Sequence, residues 1–149
     1  MALSLPTAPL TRLGLLLAGR GMVAGARMRE ALAGAGLSMR SAFTLMHLAG
    51  GPVNQQALIE LLDVDPSALV AVLNELEGLG LASRQRDTAD RRRHIVTLTD
   101  EGARTLRAID AIMDKAEEDL FAALSPAERE QLRGLLTKVA DAGTYGEEC

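Results

Sequence analysis

Arginines are concentrated in one short segment of the chain. Residues 82–99 contain Arg84, Arg86 and the run Arg91–Arg93 against two aspartates, a local charge of +3. A guanidinium keeps its charge and donates hydrogen bonds in a planar fork, which suits it to phosphate groups. One or two such side chains could simply be solvated on a loop. Four of them between Arg86 and Arg93 favour a polyanion as the ligand, and the narrow minor groove of DNA attracts inserted arginines.

The remaining charge is unevenly distributed. The whole chain has a net charge of −4, which by itself argues against a nucleic-acid ligand. Residues 1–49 are basic, residues 50–81 contain five acids and no base, and residues 100–149 are acidic. Positive charge is therefore gathered in two parts of the sequence, and the fold decides whether they share a surface.

The sequence has no residue set typical of an enzyme or a metal centre. Its two histidines, His47 and His94, are isolated, and its single cysteine, Cys149, is the last residue. Neither a metal-ligand spacing nor an internal disulfide is therefore expected. A nucleophile–base pair, a carboxylate pair and a phosphate-binding loop are also missing. We expect a protein that is not an enzyme and that has no metal and no cofactor.

The first part of the chain does not resemble a targeting or membrane segment. It is apolar up to Leu17, but Arg12 lies in its middle and Arg20 follows it. No run of 18 apolar residues occurs anywhere, so neither a signal peptide nor a membrane span is expected. Together with the cysteine usage, this predicts a cytoplasmic protein.

Start and stop signals predict six helices and one hairpin. The helices are expected at about 9–35, 38–49, 55–62, 66–79, 100–123 and from 126 onward, and the fourth should stop at Gly80. Residues 81–86 and 94–99 are expected to be strands, joined by the polar loop 87–93. Side-chain caps are expected at Ser38, Asn54, Asp65, Thr99 or Asp100, and Ser125. The apolar stripes include Phe43 in the second helix, Leu61 in the third and Leu79 in the fourth.

The predicted first helix contains five glycines, each of which weakens a helix by about 1 kcal/mol relative to alanine. Such a helix needs packing support, for example from a second subunit. Small residues on its surface would allow another helix to approach closely.

Two short helices joined by residues 63–65 and followed by a two-stranded hairpin predict a winged helix-turn-helix. In such a unit the second helix enters the DNA major groove, and the hairpin loop reaches the backbone or minor groove beside it. The same outline could belong to a helix–hairpin module that binds protein. The arginines of the loop favour DNA.

The residues of this hairpin resemble the wing of the MarR-type regulators (multiple antibiotic resistance regulators). The resemblance rests on residues 80–84, on the Arg86…Asp90-x-Arg92 spacing, and on the Leu-Thr-x-x-Gly that ends the wing at Gly102. Residues 55–58 and 64–69 are similar to the family's third and fourth helices. The likeness covers residues 38–142 well and residues 9–37 by helical pattern only.

This resemblance implies a mainly α fold with a small two- to three-stranded β wing, in a single domain over residues 1–149. Residues 9–37 and 100–142 would be dimerisation helices, and residues 143–149 a flexible tail. Residues 38–99 would form the DNA-binding lobe, with a recognition helix at about 66–79 and a wing at about 82–99.

The resemblance also implies how such a protein works. It implies a homodimeric transcriptional regulator, in the first instance a repressor, on a palindromic double-stranded DNA site. A small effector, often phenolic in relatives, would release the DNA. Asp90 would brace the wing by pairing with a neighbouring arginine, and Arg92, Arg91 or Arg93 would reach the minor groove.

The recognition helix departs from the family pattern. Members often carry Arg or Lys near the positions of Ala71 and Glu75, whereas residues 50–81 contain no base. Asn74 suits adenine, Ser67 can bond a base or a phosphate, and the small apolar residues beside them suit thymine methyls, so an A·T-rich site and modest affinity are expected. The candidate DNA-contacting residues are Arg40, Gln55, Ser67, Ala68, Val70, Ala71, Asn74, Arg84, Arg86, Asp90, Arg91, Arg92 and Arg93.

Two alternatives stay open at this point. Met46, His47 and Met113 are candidates for an effector pocket, but His47 could instead be a partly buried histidine with its hydrogen bonds satisfied. The chain could also be a family member that has lost strong DNA binding and acts through protein contact, which the base-free recognition helix favours. Relatives that sense peroxide use a cysteine near the N-terminus, which is absent, and Cys149 is not expected to replace it.

Overall fold

The computed structural model describes residues 11–141. Within them the chain forms α1 (Leu13–Ala33), α2 (Met39–Leu48), β1 (Val53–Asn54), α3 (Gln55–Leu62), α4 (Pro66–Gly78), β2 (Ala82–Arg86), β3 (His94–Leu98), α5 (Asp100–Leu120) and α6 (Pro126–Asp141). The mainly helical fold with a small β wing is therefore confirmed. The predicted helix start at Pro9, the tail at 143–149 and Cys149 lie outside the described residues.

The wing is part of a three-stranded antiparallel sheet in the order β1-β3-β2. Arg84 of β2 pairs with Val96 of β3, and Val53 of β1 pairs with Val96 from the other side. Because the buried Val96 lies in the central strand, it anchors the sheet to the core. Strand β1 has only two residues, too few for the sequence pattern to identify as a strand.

The predicted helix caps are present. Ser38, Asn54 and Asp65 each accept a backbone N–H from the first turn of α2, α3 and α4. Thr99, and not Asp100, caps α5, since its hydroxyl oxygen accepts the Gly102 N–H at 3.0 Å. Ser125 and Glu128 form the reciprocal capping box at the start of α6.

The described chain groups into two compact units, one up to Ala116 and one from Glu117 onward. In the second unit, the Arg129 guanidinium donates to the carbonyl oxygens of Phe121 and Leu124, which closes the turn before α6. The first unit holds the hydrophobic core, built largely from the leucine stripe of α4 and from α2. The assignment of the first, fifth and sixth helices to dimerisation stays a prediction.

Helix α2 buries Ala42 and Leu45, as its apolar pattern predicts, but not Phe43. Ser41 and Thr44 are fully buried, together with Leu45 and Leu48, and Phe43 is exposed. The Thr44 hydroxyl donates to the Arg40 carbonyl oxygen at 2.8 Å, and Ser41 also has hydrogen-bond partners. Because both buried hydroxyls are satisfied, small polar residues can lie in the core and the large aromatic ring lies outside it.

The periodic pattern also predicts that two other apolar residues are buried, and both are exposed. Leu61 of α3 is exposed, because this short helix buries only Leu58 completely. Leu79 is exposed because α4 ends at Gly78 and the chain then turns. As predicted, Gly80 provides that turn: it has φ +73°, and the Leu81 N–H bonds back to the Leu76 carbonyl oxygen.

Gly102 lies where the first turn of α5 meets the start of β2. A Cβ atom at this position would overlap the Leu81 carbonyl oxygen and would lie 2.7 Å from Leu98 Cδ1. Thr99 holds the same junction, since its N–H donates to the Leu81 carbonyl oxygen and its hydroxyl donates to the Gly80 carbonyl oxygen. The glycine that ends the wing motif is therefore required by close backbone approach.

Replacing Gly102 with Ala should destabilise the fold by about 2 kcal/mol or more, because the added methyl group meets backbone that cannot move aside freely. Urea denaturation measures this change. Gly78→Ala is the matched control: a Cβ at Gly78, in the last turn of α4, meets nothing within 4 Å, so this variant should gain up to about 0.5–1 kcal/mol from helix propensity. Equal effects of the two substitutions would contradict the close approach.

Candidate nucleic-acid interface

The loop at the tip of the wing is shaped by its two aspartates. Asp87 Oδ1 accepts the Ala89 N–H at 2.9 Å, and Asp90 Oδ1 accepts the Arg92 N–H at 3.0 Å. Backbone bonds from the Asp87 N–H to the Arg93 carbonyl oxygen and from the Arg93 N–H to the Asp90 carbonyl oxygen close the loop. Each aspartate therefore folds the chain back by bonding two residues ahead.

This loop presents arginines to solvent. Arg86, Arg91, Arg92 and Arg93 are all exposed. The predicted brace is present, because Arg93 Nε lies 3.5 Å from Asp90 Oδ2. Across residues 11–141, no ion pair involves Arg86, Arg91 or Arg92. The positive charge of these three side chains is therefore available to a ligand.

Helix α4 lies beside the wing and exposes the face predicted to read DNA. Ser67, Val70, Ala71 and Asn74 are exposed, and Ala68 is half-buried. Its leucine stripe faces the core on the opposite side. The helix therefore presents a small, mostly uncharged surface.

The start of α4 is already occupied by a carboxylate. Asp65 Oδ1 accepts the Ser67 hydroxyl at 2.5 Å and the Ala68 N–H at 2.9 Å. These bonds lower the pKa of Asp65, with the Ser67 hydroxyl as the largest cause and the charge of Arg40 as a smaller one. Because the hydroxyl proton of Ser67 is committed to Asp65, its oxygen can only accept, and it does not suit a phosphate oxygen.

Glu77 on α4 and Arg84 on β2 form a bidentate ion pair. Arg84 Nε and Nη2 donate to the two carboxylate oxygens at 3.0 and 2.8 Å, and the Arg84 backbone N–H donates to Oε1 at 2.8 Å. Arg84 Nη2 also donates to Asn74 Oδ1 at 2.6 Å. The Arg84 side chain lowers the pKa of Glu77 by hydrogen bonding and charge, and the pKa of Arg84 is raised in turn. Arg84 therefore connects the wing to the recognition helix.

The other acid of α4 is also used inside the lobe. Glu75 Oε2 accepts the hydroxyl of the buried Ser41 at 3.0 Å, and Ser38 Oγ donates to Ser41 Oγ at 3.0 Å. This chain of hydrogen bonds connects the start of α2 to α4. Both Glu75 and Glu77 thus have partners within the protein.

An open cavity of about 590 Å³ lies between α4 and the strands of the wing. The three residues predicted for an effector pocket do not line it. Met46 and Met113 are half-buried against the core, and His47 is exposed. The alternative interpretation of His47 as a partly buried histidine is therefore wrong. The cavity is lined by Gln55, Val70, Glu77, Arg84, Arg86 and His94.

Comparison with known proteins decides the family. A family model described as the MarR family matches residues 35–93. Transcriptional regulator HosA of Escherichia coli O111:H- is 37% identical over 90 residues, which cover 60% of this chain and 67% of HosA. The chain belongs to the MarR family. A Thauera aromatica protein assigned to the regulation of the hcr operon is 38% identical over 96 residues, 64% of this chain and 58% of that relative.

The fold of this MarR-family chain matches solved structures over most of its length. One of them is the transcriptional repressor CouR bound to a 23-mer DNA duplex, which has a TM-score of 0.82 and 28% identity. The match covers 94% of this chain and 99% of CouR. The predictions of a winged helix-turn-helix, of transcription regulation and of a protein that is not an enzyme agree with this family. No helix within residues 11–141 is long and apolar enough to cross a bilayer.

The sequence did not reveal three residues that hold the elements of this MarR-family lobe together, namely Glu77, Glu75 and Ser41. Their partners lie 7 and 34 residues away in the sequence and on different elements. Motif spacing contains no signal for such pairs. A weak hint for Glu77 was its place at the end of a helix that leads into an arginine-containing strand.

Glu77→Gln should lower the stability of the fold by about 1 kcal/mol at neutral pH, since the Glu77 and Arg84 side chains are only 31% and 24% exposed. The pKa of Glu77 is depressed below its usual 4.5. The stabilisation is therefore complete above pH 4.5 and is lost as the pH falls through the lower folded-state pKa. Urea denaturation at several pH values should show the wild type approaching the variant in acid.

Glu60→Gln, a change of an exposed glutamate on α3, is the control for this series. It should leave stability almost unchanged at every pH. If Glu77→Gln and Glu60→Gln gave the same pH profile, the ion pair would not contribute to stability.

Proposed function

We propose that this chain is a homodimeric transcriptional repressor that binds a palindromic DNA site through the winged lobe of each subunit. The observation that carries this proposal is the position of the exposed arginines of the wing beside the exposed face of α4. In this arrangement α4 enters the major groove, and the wing tip reaches the adjacent minor groove. The DNA complex of CouR, a repressor with the same fold, supports it.

The attraction to DNA comes mainly from the wing. Arg91 and Arg92 reach the minor groove, where Asp90 supports the loop from behind and Arg93 is already paired with it. Gln55 and Arg86 line the cavity beside α4, and Arg40 is close enough to Asp65 to lower its pKa. In this proposal all three contact the DNA backbone. Helix α4 contributes shape and base contacts, because residues 50–81 contain no base.

The proposal extends to release of the DNA by a small effector. Phe43 and His47 are four residues apart on α2, so they are neighbours on one face of that helix, and both are exposed. An aromatic ring beside an imidazole suits a ligand with a ring and a polar group, such as a phenol. Met46 and Met113 would complete the apolar part of this pocket.

The homodimer explains the apolar residues that the single chain leaves exposed. In the first unit, α1 exposes Leu13, Leu15 and Met22, and in the second unit α6 exposes Leu135 and Val139. A helix with several glycines and exposed leucines gains its stability from packing against another subunit. We therefore assign α1, α5 and α6 to the dimer interface.

A mobility-shift assay with the DNA upstream of the chain's own gene tests the DNA-binding function. The wild type should give a specific shift at low salt. Changing Arg91, Arg92 and Arg93 together to Ala should weaken binding on the order of 100-fold and flatten its dependence on salt, because fewer counterions are released. Arg104, Arg107 and Arg133 changed together to Ala remove the same charge away from the wing and should have a small effect.

Two outcomes would contradict this proposal. The absence of any specific shift from the wild type at low salt would favour the alternative function through protein contact. Unchanged affinity and salt dependence in the wing variant would show that the wing does not touch DNA.

Sedimentation at micromolar concentration should give twice the chain mass. Leu15→Glu on α1 should shift the protein toward monomer, because a charge would then enter the interface. Leu61→Glu on α3 is the matched control, since the two leucines are 53% and 54% exposed in the single chain. A monomeric wild type, or equal dissociation by both variants, would contradict the proposed interface.

A further inference from the structure

The side chain of Asn74 on the exposed face of α4 is held by Arg84 of the wing. Arg84 Nη2 donates to Asn74 Oδ1 at 2.6 Å and to Glu77 Oε2 at 2.8 Å. Asn74 and Glu77 are three residues apart on α4, so both face the same strand residue. The three side chains form one cluster, hereafter the Asn74–Arg84–Glu77 cluster.

The chemistry of the cluster fixes which way the amide of Asn74 points. A guanidinium can only donate hydrogen bonds, so the amide atom that faces Arg84 must be the carbonyl oxygen. The NH₂ group of Asn74 then lies on the side away from Arg84. Because Asn74 is exposed, this NH₂ group is offered to whatever binds the face of α4.

We propose that Arg84 is a positioning residue. It orients the side chain of Asn74 so that the NH₂ group donates a hydrogen bond in the DNA major groove, and it thereby sets the base preference of α4. This inference rests on the DNA-binding function proposed above. Asparagine recognises adenine by using its oxygen and its NH₂ group together. Here the oxygen is turned toward Arg84 on the wing, so the NH₂ group is the part of the amide that faces a base.

A donor alone favours the base with the most acceptors. Guanine presents two acceptors in the major groove, N7 and O6. Adenine presents one acceptor beside a donor, thymine one acceptor beside a methyl group, and cytosine a donor. Asn74 therefore selects guanine at the position it contacts. This replaces the adenine contact expected from an asparagine considered alone.

The charge of Arg84 is not part of the attraction to phosphate. Its guanidinium forms two hydrogen bonds with the carboxylate of Glu77, and the two charges compensate each other. The pair with Glu77 would hold the wing against α4 even without Asn74. The additional bond to Asn74 acts on recognition, and the wing tip remains the source of the salt dependence.

Selection from a library of random DNA duplexes, followed by affinity measurements on single-base variants of the selected site, tests this inference. The wild type should select guanine over adenine by about 10-fold at one position of each half-site. Asn74→Ala should remove the preference at that position and leave the other positions unchanged. The free energy of unfolding of each variant shows whether the fold is intact.

Arg84→Lys separates positioning from general stability. A lysine keeps the charge opposite Glu77 but lacks the second arm that reaches Asn74. This variant should reduce the preference for guanine to within about 2-fold at the same position, with the salt dependence of the wild type. In the Asn74→Ala background, Arg84→Lys should cause no further change at that position, because no amide is left to be positioned. Arg104→Lys, a change of another arginine that is paired with a glutamate, Glu101, is the control and should alter no base preference.

The outcomes distinguish this inference from the proposed function. If the wild type selects no sequence at all, both are overturned. If it selects a site that contains adenine at the contacted position, or if Arg84→Lys selects the same site as the wild type, only the positioning role of Arg84 is overturned.

Discussion

The first turn of α5 lies against the backbone of Leu81, and the position of the wing depends on this contact. Gly102 permits the approach, and Thr99 bonds to both Gly80 and Leu81 while it caps α5. The end of the recognition helix, both ends of the hairpin and the start of the next helix therefore meet at one junction. Because backbone atoms make most of these bonds, the junction leaves little freedom for the wing to tilt relative to α4.

The carboxylates of the recognition helix and of its N-cap all have partners within the lobe. Glu75 bonds to Ser41, Glu77 pairs with Arg84, and Asp65 caps the helix. Each of these carboxylates holds two elements of the lobe together or closes a helix end. Glu77 is paired with a cation, whereas Glu75 is exposed and keeps its negative charge, so the positive charge comes from the wing beside α4. The carboxylates of this short segment thus serve internal structure, and the arginines of the wing tip serve external recognition.

Local features of this chain could be predicted from its sequence, and contacts between elements could not. The caps at Ser38, Asn54 and Ser125 were predictable because a cap and its helix are adjacent in sequence. The exposed position of Phe43 was not, because the inward face of α2 is set by buried hydroxyls with partners on other residues. The pair of Glu77 and Arg84 joins a helix to a strand, and its existence follows only from their relative orientation.

The aspartate turns at the wing tip have a consequence for the entropy of binding. Asp87 and Asp90 hold the loop with four hydrogen bonds in the free protein. The backbone freedom of this loop is therefore lost during folding and not on association with a ligand. Only the arginine side chains have to become ordered when the loop reaches its target. A loop of the same charge without these hydrogen bonds would lose more backbone freedom on binding and would bind more weakly.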